Sequence, residues 1–418
     1  MTLRIILMAS VFPCFLSHCG QTSQDDLIER LLVRNKDSFQ DILENPDLYG
    51  VQVIYTQIER DPDNRPSLRK FKYRVNPAEY FYPASTVKLP VALLSLERLN
   101  ELDIPGLSKT SLMLTDSAYS GQSSVKQDTS LSPGKMNPSV AQYIKKIFLV
   151  SDNVAFNRLF EFLGPDYINN SLHGKGYTGS RIIHRLSLPL SLEENRYTNP
   201  VRFFYPENEL VYQQGLIYAE QDFTPVQRIL LGDGYICNDS LIREPMDFSR
   251  KNFIPLEELH DMLVSVIFPG NFDPGNLFDL TETDRKFILS CMSMYPGESQ
   301  DPFYGEKYED NYGKFLMFGD RNGKIPENIR IFNKIGLAYG FMVESAYIID
   351  FDAGVEFFLS AMIHVNKNRI YNDGVYEYDT AGFPFMGKLG RMIHQYEKDR
   401  NRSHTPNLSD FMMNYTID

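Results

Sequence analysis

The sequence predicts an α+β fold, an α/β sandwich in which one antiparallel sheet is assembled from both chain ends and flanked by helices, beside a mainly helical lobe. Three observations predict it. β-prone runs stand near the start, at residues 51–58 and 68–75. Three more stand near the end, at residues 329–334, 341–350 and 355–365. Between the two groups, apolar residues recur at helical intervals.

Taken in order, residues 27–43 read as an opening helix. The first two strands are separated by Asp61-Pro62-Asp63-Asn64-Arg65-Pro66, turn chemistry that predicts a hairpin. From residue 85 to about 164 the pattern is helical, with Val91-Ala92-Leu93-Leu94 and Tyr143-Ile144 as apolar faces. Glycine, proline and asparagine break up residues 187–251. Helices resume at 256–266 and 283–294, and residues 387–400 close the fold before a polar tail, 401–418. The predicted organisation is a sheet-containing lobe from 25–84 and 326–400, and a helical lobe, 85–325, with an enlarged loop region at 187–328.

Composition bounds the function. Of 418 residues, 43% are hydrophobic and 23% charged, which excludes wholesale disorder. The formal charge of −12 argues against a nucleic-acid binder, which needs a basic face. No apolar run approaches the roughly 20 residues of a membrane span. Residues 1–19 carry one early cation, Arg4, and a short apolar run, then Leu16-Ser17-His18-Cys19 and a polar tether. That pattern predicts an export signal. Its ending resembles a bacterial lipoprotein cleavage site with Cys19 as the acylated residue, although His18 stands where a small residue is usual; ordinary cleavage is the alternative.

Cys237 and Cys291 are the cysteines beyond this segment, and they pair with each other or remain thiols. The seven histidines (His18, His173, His184, His260, His364, His394 and His404) show no ligand spacing, so no metal site and no cofactor are expected.

Ser85-Thr86-Val87-Lys88 has the form S-x-x-K, which on a helix puts the amine within reach of the hydroxyl. A desolvated lysine can act as base to a serine nucleophile. Ser67/Lys70, Ser123/Lys126 and Ser132/Lys135 share the spacing, but only Ser85 opens a long apolar helix, where the N-terminal dipole favours developing negative charge. Ser151-Asp152-Asn153 follows, a triplet whose chance expectation is on the order of 0.1, between two apolar helices; a capped turn is its structural alternative. Lys334-Ile335-Gly336 lies on a β-prone run, where the lysine would attract an anion and the glycine would permit close backbone approach.

In this order the three elements resemble the penicillin-recognising serine hydrolases, most closely class A β-lactamases. The likeness extends through Ser151-Asp152-Asn153-Val154-Ala155-Phe156-Asn157-Arg158-Leu159 and Lys334-Ile335-Gly336-Leu337-Ala338-Tyr339-Gly340, and spans about residues 27–400, weakest at 187–328. It implies a β-lactamase/DD-peptidase-like fold. It also implies that Ser85 attacks an amide carbonyl with Lys88 taking part in its activation. Ser151 would relay a proton to the leaving nitrogen, and Asn153 would position Lys88 and substrate. Lys334 and Gly336 would serve substrate binding, and the backbone N–H groups of Ser85 and Leu337 would form the oxyanion hole.

Two departures qualify the match. Ile335 occupies a position where the family usually has a hydroxyl that bonds the substrate carboxylate. The family's E-x-x-L-N loop, source of the deacylating glutamate, is absent; Glu193, Glu194 and Glu244 are the candidates, while Glu207 reads as a hairpin turn. The expectation is an exported periplasmic or cell-envelope serine hydrolase acting on a small-molecule or peptide amide. The alternatives are a D-alanyl-D-alanine peptidase or penicillin-binding protein, and a non-catalytic surface lipoprotein of the same fold.

Overall fold

The computed structural model describes residues 26–126, 137–206 and 209–415. The export segment with Cys19, the Ser132/Lys135 pair and Glu207 lie outside the described residues.

Two helices, α1 (Leu27–Arg34) and α2 (Lys36–Glu44), replace the single opening helix expected over 27–43. Asn35 separates them. Its Nδ2 donates to the Leu31 carbonyl at 2.9 Å, and its backbone N–H also turns back on the Leu31 and Leu32 carbonyls at 3.1 Å. After α3 (Pro46–Tyr49), the expected hairpin forms as β1 (Gln52–Arg60) and β2 (Pro66–Tyr73). A short 3₁₀ turn, Ala84–Val87, then feeds α4 (Lys88–Leu102).

Next come β3 (Leu112–Thr115), α5 (Val140–Val150), α6 (Asn153–Leu163) and α7 (Pro165–Gly174). The region read as broken loop is more ordered than expected. It contains α8 (Leu192–Arg196), β4 (Val201–Phe204), β5 (Leu210–Gln214), β6 (Leu230–Leu231), β7 (Gly234–Cys237), β8 (Ser240–Ile242) and β9 (Met246–Asp247). β3, β4 and β5 make one small sheet, β6 and β9 a ribbon. Then follow α9 (Leu256–Ile267), α10 (Glu282–Ser293), β10 (Ile329–Ala338), β11 (Phe341–Asp350), β12 (Val355–His364), β13 (Ile370–Tyr371) and α11 (Phe383–Asp399). β13 joins β7 and β8 in a third small sheet.

The main sheet has the order β10-β11-β12-β1-β2, with antiparallel neighbours throughout. The two chain ends meet at β1 and β12, where Tyr55 stands opposite Leu359. Period-two alternation splits the sheet's side chains between two cores. Val343, Tyr347 and Ile349 of β11 face the core built around α4, α6 and α9. Met342, Ala346 and Ile348 face α1, α2 and α11 on the other side. β11 is buried along its whole length, because helices cover both faces.

The polar tail is corrected in part. Leu408 and Phe411 are buried, and the Phe411 ring sits 5.1 Å from that of Tyr347, so two apolar residues dock an otherwise polar segment on the core. The Cys237–Cys291 bridge does not form. Cys237 is exposed at the end of β7 and Cys291 is buried in α10.

Candidate active site

The Ser85 turn is built by a backbone reversal. Ala84 sits at φ 47°, in the left-handed region that a non-glycine residue rarely occupies, and the Pro83 carbonyl accepts from the Thr86 N–H at 3.0 Å and its Oγ1 at 2.7 Å. Ser85 is thereby left half-buried at the lip of a cleft, while Lys88, at the first position of α4, is fully buried. Pro90 occupies the third position of α4, where its missing N–H has no helical acceptor to leave.

The Ser-Asp-Asn triplet is both a capped turn and part of the site. Ser151 ends α5 in the left-handed region at φ 53°. Asp152 caps α6, its carboxylate accepting from the Ala155 N–H at 2.8 Å. The reversal between the two helices aims Ser151 and Asn153 at Lys88. The Lys88 ammonium nitrogen lies 2.8 Å from Ser85 Oγ, 3.1 Å from Ser151 Oγ and 2.7 Å from Asn153 Oδ1, and it also bonds the Ser151 carbonyl. Burial pushes this amine down to about 7, opposed by the charge of Asp152.

β10 is an edge strand, and it delivers the third element. Lys334 Nζ donates to Ser151 Oγ at 3.0 Å and to the Ile335 carbonyl at 3.2 Å. Burial, reinforced by the like charges of Lys88 and Lys314, holds Lys334 well below the ordinary lysine value. Gly336 is required by approach. A β-carbon there would stand 2.3 Å from the Pro83 carbonyl oxygen and 3.1 Å from the Ser85 nitrogen. Leu337, next on the strand, lines the same cleft as Ser85.

Thus Ser85, Lys88, Ser151, Asn153, Lys334, Gly336 and Leu337 come together. Of the other S-x-x-K pairs in the described residues, Lys70 is tied to Asp261 at 2.7 Å, and Ser123 serves Arg158.

The glutamate candidates do not join the cluster. Glu194 is exposed and closes a capping box with Ser191, accepting from the Ser191 N–H and hydroxyl, both at 2.7 Å. Those bonds hold its carboxyl below the usual range. Glu193 and Glu244 are likewise exposed. Local helix chemistry, not catalysis, accounts for Glu194.

Several participants escape sequence reading. Asn153 Nδ2 donates to Ser187 Oγ at 2.8 Å. This contact depends on Asn157, one turn further along α6, which brackets Leu186 by accepting from its N–H at 2.8 Å and donating to its carbonyl at 3.0 Å. Behind β10, Lys314 donates to the Met292 and Ile331 carbonyls, both at 2.7 Å, and to Asn333 Oδ1 at 2.6 Å. Glu344 accepts from the Phe315 and Leu316 N–H groups at 2.9 and 2.7 Å and from the Asn333 amide. Burial pushes the Glu344 carboxyl up and the Lys314 amine down.

The cleft in front of Ser85 and Ser151 is a cavity of about 570 Å³, walled by Tyr308, Tyr312, Phe315, Ile335, Leu337 and Phe383. Tyr304, Tyr308 and Tyr312 pack in succession, the first pair edge-to-face and the second tilted, with ring centroids 5.5 and 4.5 Å apart.

With this geometry established, residues 51–208 match the model of the β-lactamase enzyme family. Over that segment the chain is similar to the penicillin-recognising serine enzymes. Among solved structures, a β-lactamase from Xanthomonas campestris is 14% identical, with a TM-score of 0.47 over 88% of this chain and 97% of that one. The structure of PBP-A gives 14% identity and a TM-score of 0.47 over 87% and 97%. A β-lactamase from Sphaerobacter thermophilus gives 13% and 0.47 over 88% and 99%. A search of curated proteins returned no match.

Proposed function

We propose that this chain is an exported serine hydrolase that opens a β-lactam or peptide-like amide through an acyl-enzyme on Ser85. One observation carries the reading: a buried amine, depressed to about 7, lies 2.8 Å from a hydroxyl at the lip of a cleft. A neutral Lys88 accepts the Ser85 proton as the Oγ–C bond forms. The resulting oxyanion faces the N–H groups of Ser85 and Leu337. As the C–N bond breaks, Ser151 gives its proton to the leaving nitrogen and is reprotonated from Lys88. Asn153 holds Lys88 from one side, and Lys334 donates a hydrogen bond to Ser151 at 3.0 Å. Water then adds to the ester, the acyl–Oγ bond breaks, and Ser85 recovers its proton.

Glu193, Glu194 and Glu244 are exposed and none of them lines the cleft in front of Ser85, which favours slow deacylation, behaviour closer to a penicillin-binding protein or D-alanyl-D-alanine peptidase than to an antibiotic-destroying enzyme. The test exposes the mature protein and Ser85→Ala to a chromogenic cephalosporin and to a labelled penicillin. Label that persists on the wild type, without rapid colour release and absent from Ser85→Ala, is expected. Label retained by Ser85→Ala contradicts the mechanism, and no reaction at all supports the non-catalytic lipoprotein. We also place the protein in the cell envelope with a lipid on Cys19; a Cys19→Ala variant that stays in the membrane fraction contradicts the anchor.

A further inference from the structure

Two cavities that share no lining residue adjoin the catalytic cluster, one at Ser85 and Ser151 and one through Ser187, and they differ in chemistry. The first contains Ser151, the proton donor to the leaving nitrogen, so the leaving group lies there. Its walls are mainly aromatic and aliphatic. Lys307 and Glu309, its exposed charges, have opposite signs, and Ile335 offers no donor. Lys334 does not face this cavity as a free cation, being buried and engaged with Ser151 Oγ and the Ile335 carbonyl.

The second cavity, about 660 Å³, is lined by His184, Ser187, Ser191, Arg250, Lys251 and Tyr339 among others, and no carboxylate lines it. Ser187, which lines it, accepts from Asn153 Nδ2 at 2.8 Å, and it shares no lining residue with the leaving-side cavity, which makes it the candidate for the acyl fragment. Its third cation, Arg185, is committed to Glu161 at 2.9 Å. Arg250 and Lys251 form no ion pair among the described residues; Lys251 instead lies 5.8 Å from the Tyr339 ring centroid. Asp222, whose carboxyl feels Arg250, does not line the cavity. His184 Nε2 is buried without a partner, and burial, with Lys251 adding to it, pushes that imidazole down to about 4. In a chain of net charge −12, a cavity that presents two cations without an ion pair among the described residues, and no carboxylate, is matched to an anion.

Resting on the Ser85 acyl-enzyme reading, we infer that the natural substrate carries a carboxylate on its acyl side, held by Arg250 and Lys251, and an apolar or aromatic group on its leaving side. Penicillins and D-alanyl-D-alanine termini have the opposite polarity, with the carboxylate on the leaving-nitrogen fragment.

Two esters of equal chain length and common aromatic leaving group test this: p-nitrophenyl hydrogen glutarate and p-nitrophenyl valerate. Acylation of Ser85 is followed by intact mass and by nitrophenol release, with Ser85→Ala as background. The glutarate is expected to acylate at least about tenfold faster at low salt, a preference that shrinks as ionic strength rises. The ratio should fall to about one in Arg250→Gln/Lys251→Gln. Equal rates in the wild type, both lost in Ser85→Ala, overturn the inference and leave the acyl-enzyme reading intact. Acylation by neither ester overturns both. A preference that survives in the double variant overturns the assignment to this cavity.

Discussion

Gly336 and Ser85 are in backbone contact: a β-carbon on Gly336 would lie 3.1 Å from the Ser85 nitrogen, and only 2.3 Å from the Pro83 carbonyl oxygen just before it. The edge strand and the Ser85 turn therefore share one surface, and the gap between them is set by a missing side chain. Gly336→Ala must push β10 away from the turn. Displacements of this size cost about a hundredfold in reactivity. Penicillin or ester labelling of Ser85 should slow by that factor, while circular dichroism shows the fold retained.

The Lys88 amine supplies a pH signature. Its folded value of about 7 lies below the ordinary 10.5, so the basic, neutral form grows as pH rises through 7. Acylation should fall about tenfold per pH unit below that point and level off above it. Stability carries the complementary sign. Between about 7 and 10.5 the unfolded chain holds the extra proton, so this group's contribution rises with pH across that window. Lys88→Met should lose about 10²–10⁴-fold in acylation rate and flatten the profile. A profile that stays flat in the wild type would remove Lys88 as the base.

How far the site is legible in the sequence follows from the distance over which each contact is made. Ser85 and Lys88 are three residues apart on one helical turn, and Ser151 and Asn153 flank one helix cap, so local geometry alone brings each pair together. The main sheet is equally legible, because alternation in β1, β11 and β12 must serve two cores. Ser187 is not legible. Its bond to Asn153 exists because Asn157 grips Leu186, a partner 29 residues away in sequence. The hinge at Asn35 and the docking of Phe411 escape for the same reason, since each reflects one side chain's tertiary partners and not a periodic pattern.

Glu344 is the buried carboxyl that fixes the cleft wall. It receives the N–H groups of Phe315 and Leu316 and the Asn333 amide, and Asn333 in turn accepts from Lys314. Glu344→Ala leaves these donors and a buried lysine uncompensated, which costs about 3–5 kcal/mol. Urea unfolding should record a loss of that order. Glu344→Gln, which keeps an acceptor for the backbone donors, should lose less. Equal losses would mean that shape alone, and not the hydrogen-bonded acceptor, holds the wall.

Ile335 gives a prediction in the direction of gain. It is half-buried and lines the cleft beside Leu337, where the related serine enzymes usually present a hydroxyl to the substrate carboxylate. Threonine is also β-branched and suits the extended strand, so Ile335→Thr alters the surface chemistry with little change to the backbone. A restored charge-assisted hydrogen bond is worth about 1.5–3 kcal/mol, or about ten- to a hundredfold in affinity. Labelling of Ser85 by penicillin should therefore become about tenfold or more faster in Ile335→Thr. The valerate ester, which has no carboxylate to bond, should show no such gain. A penicillin rate that does not rise would mean that the substrate carboxylate never reaches β10, and that the aromatic wall at Tyr308 and Tyr312 blocks anions from the leaving side altogether.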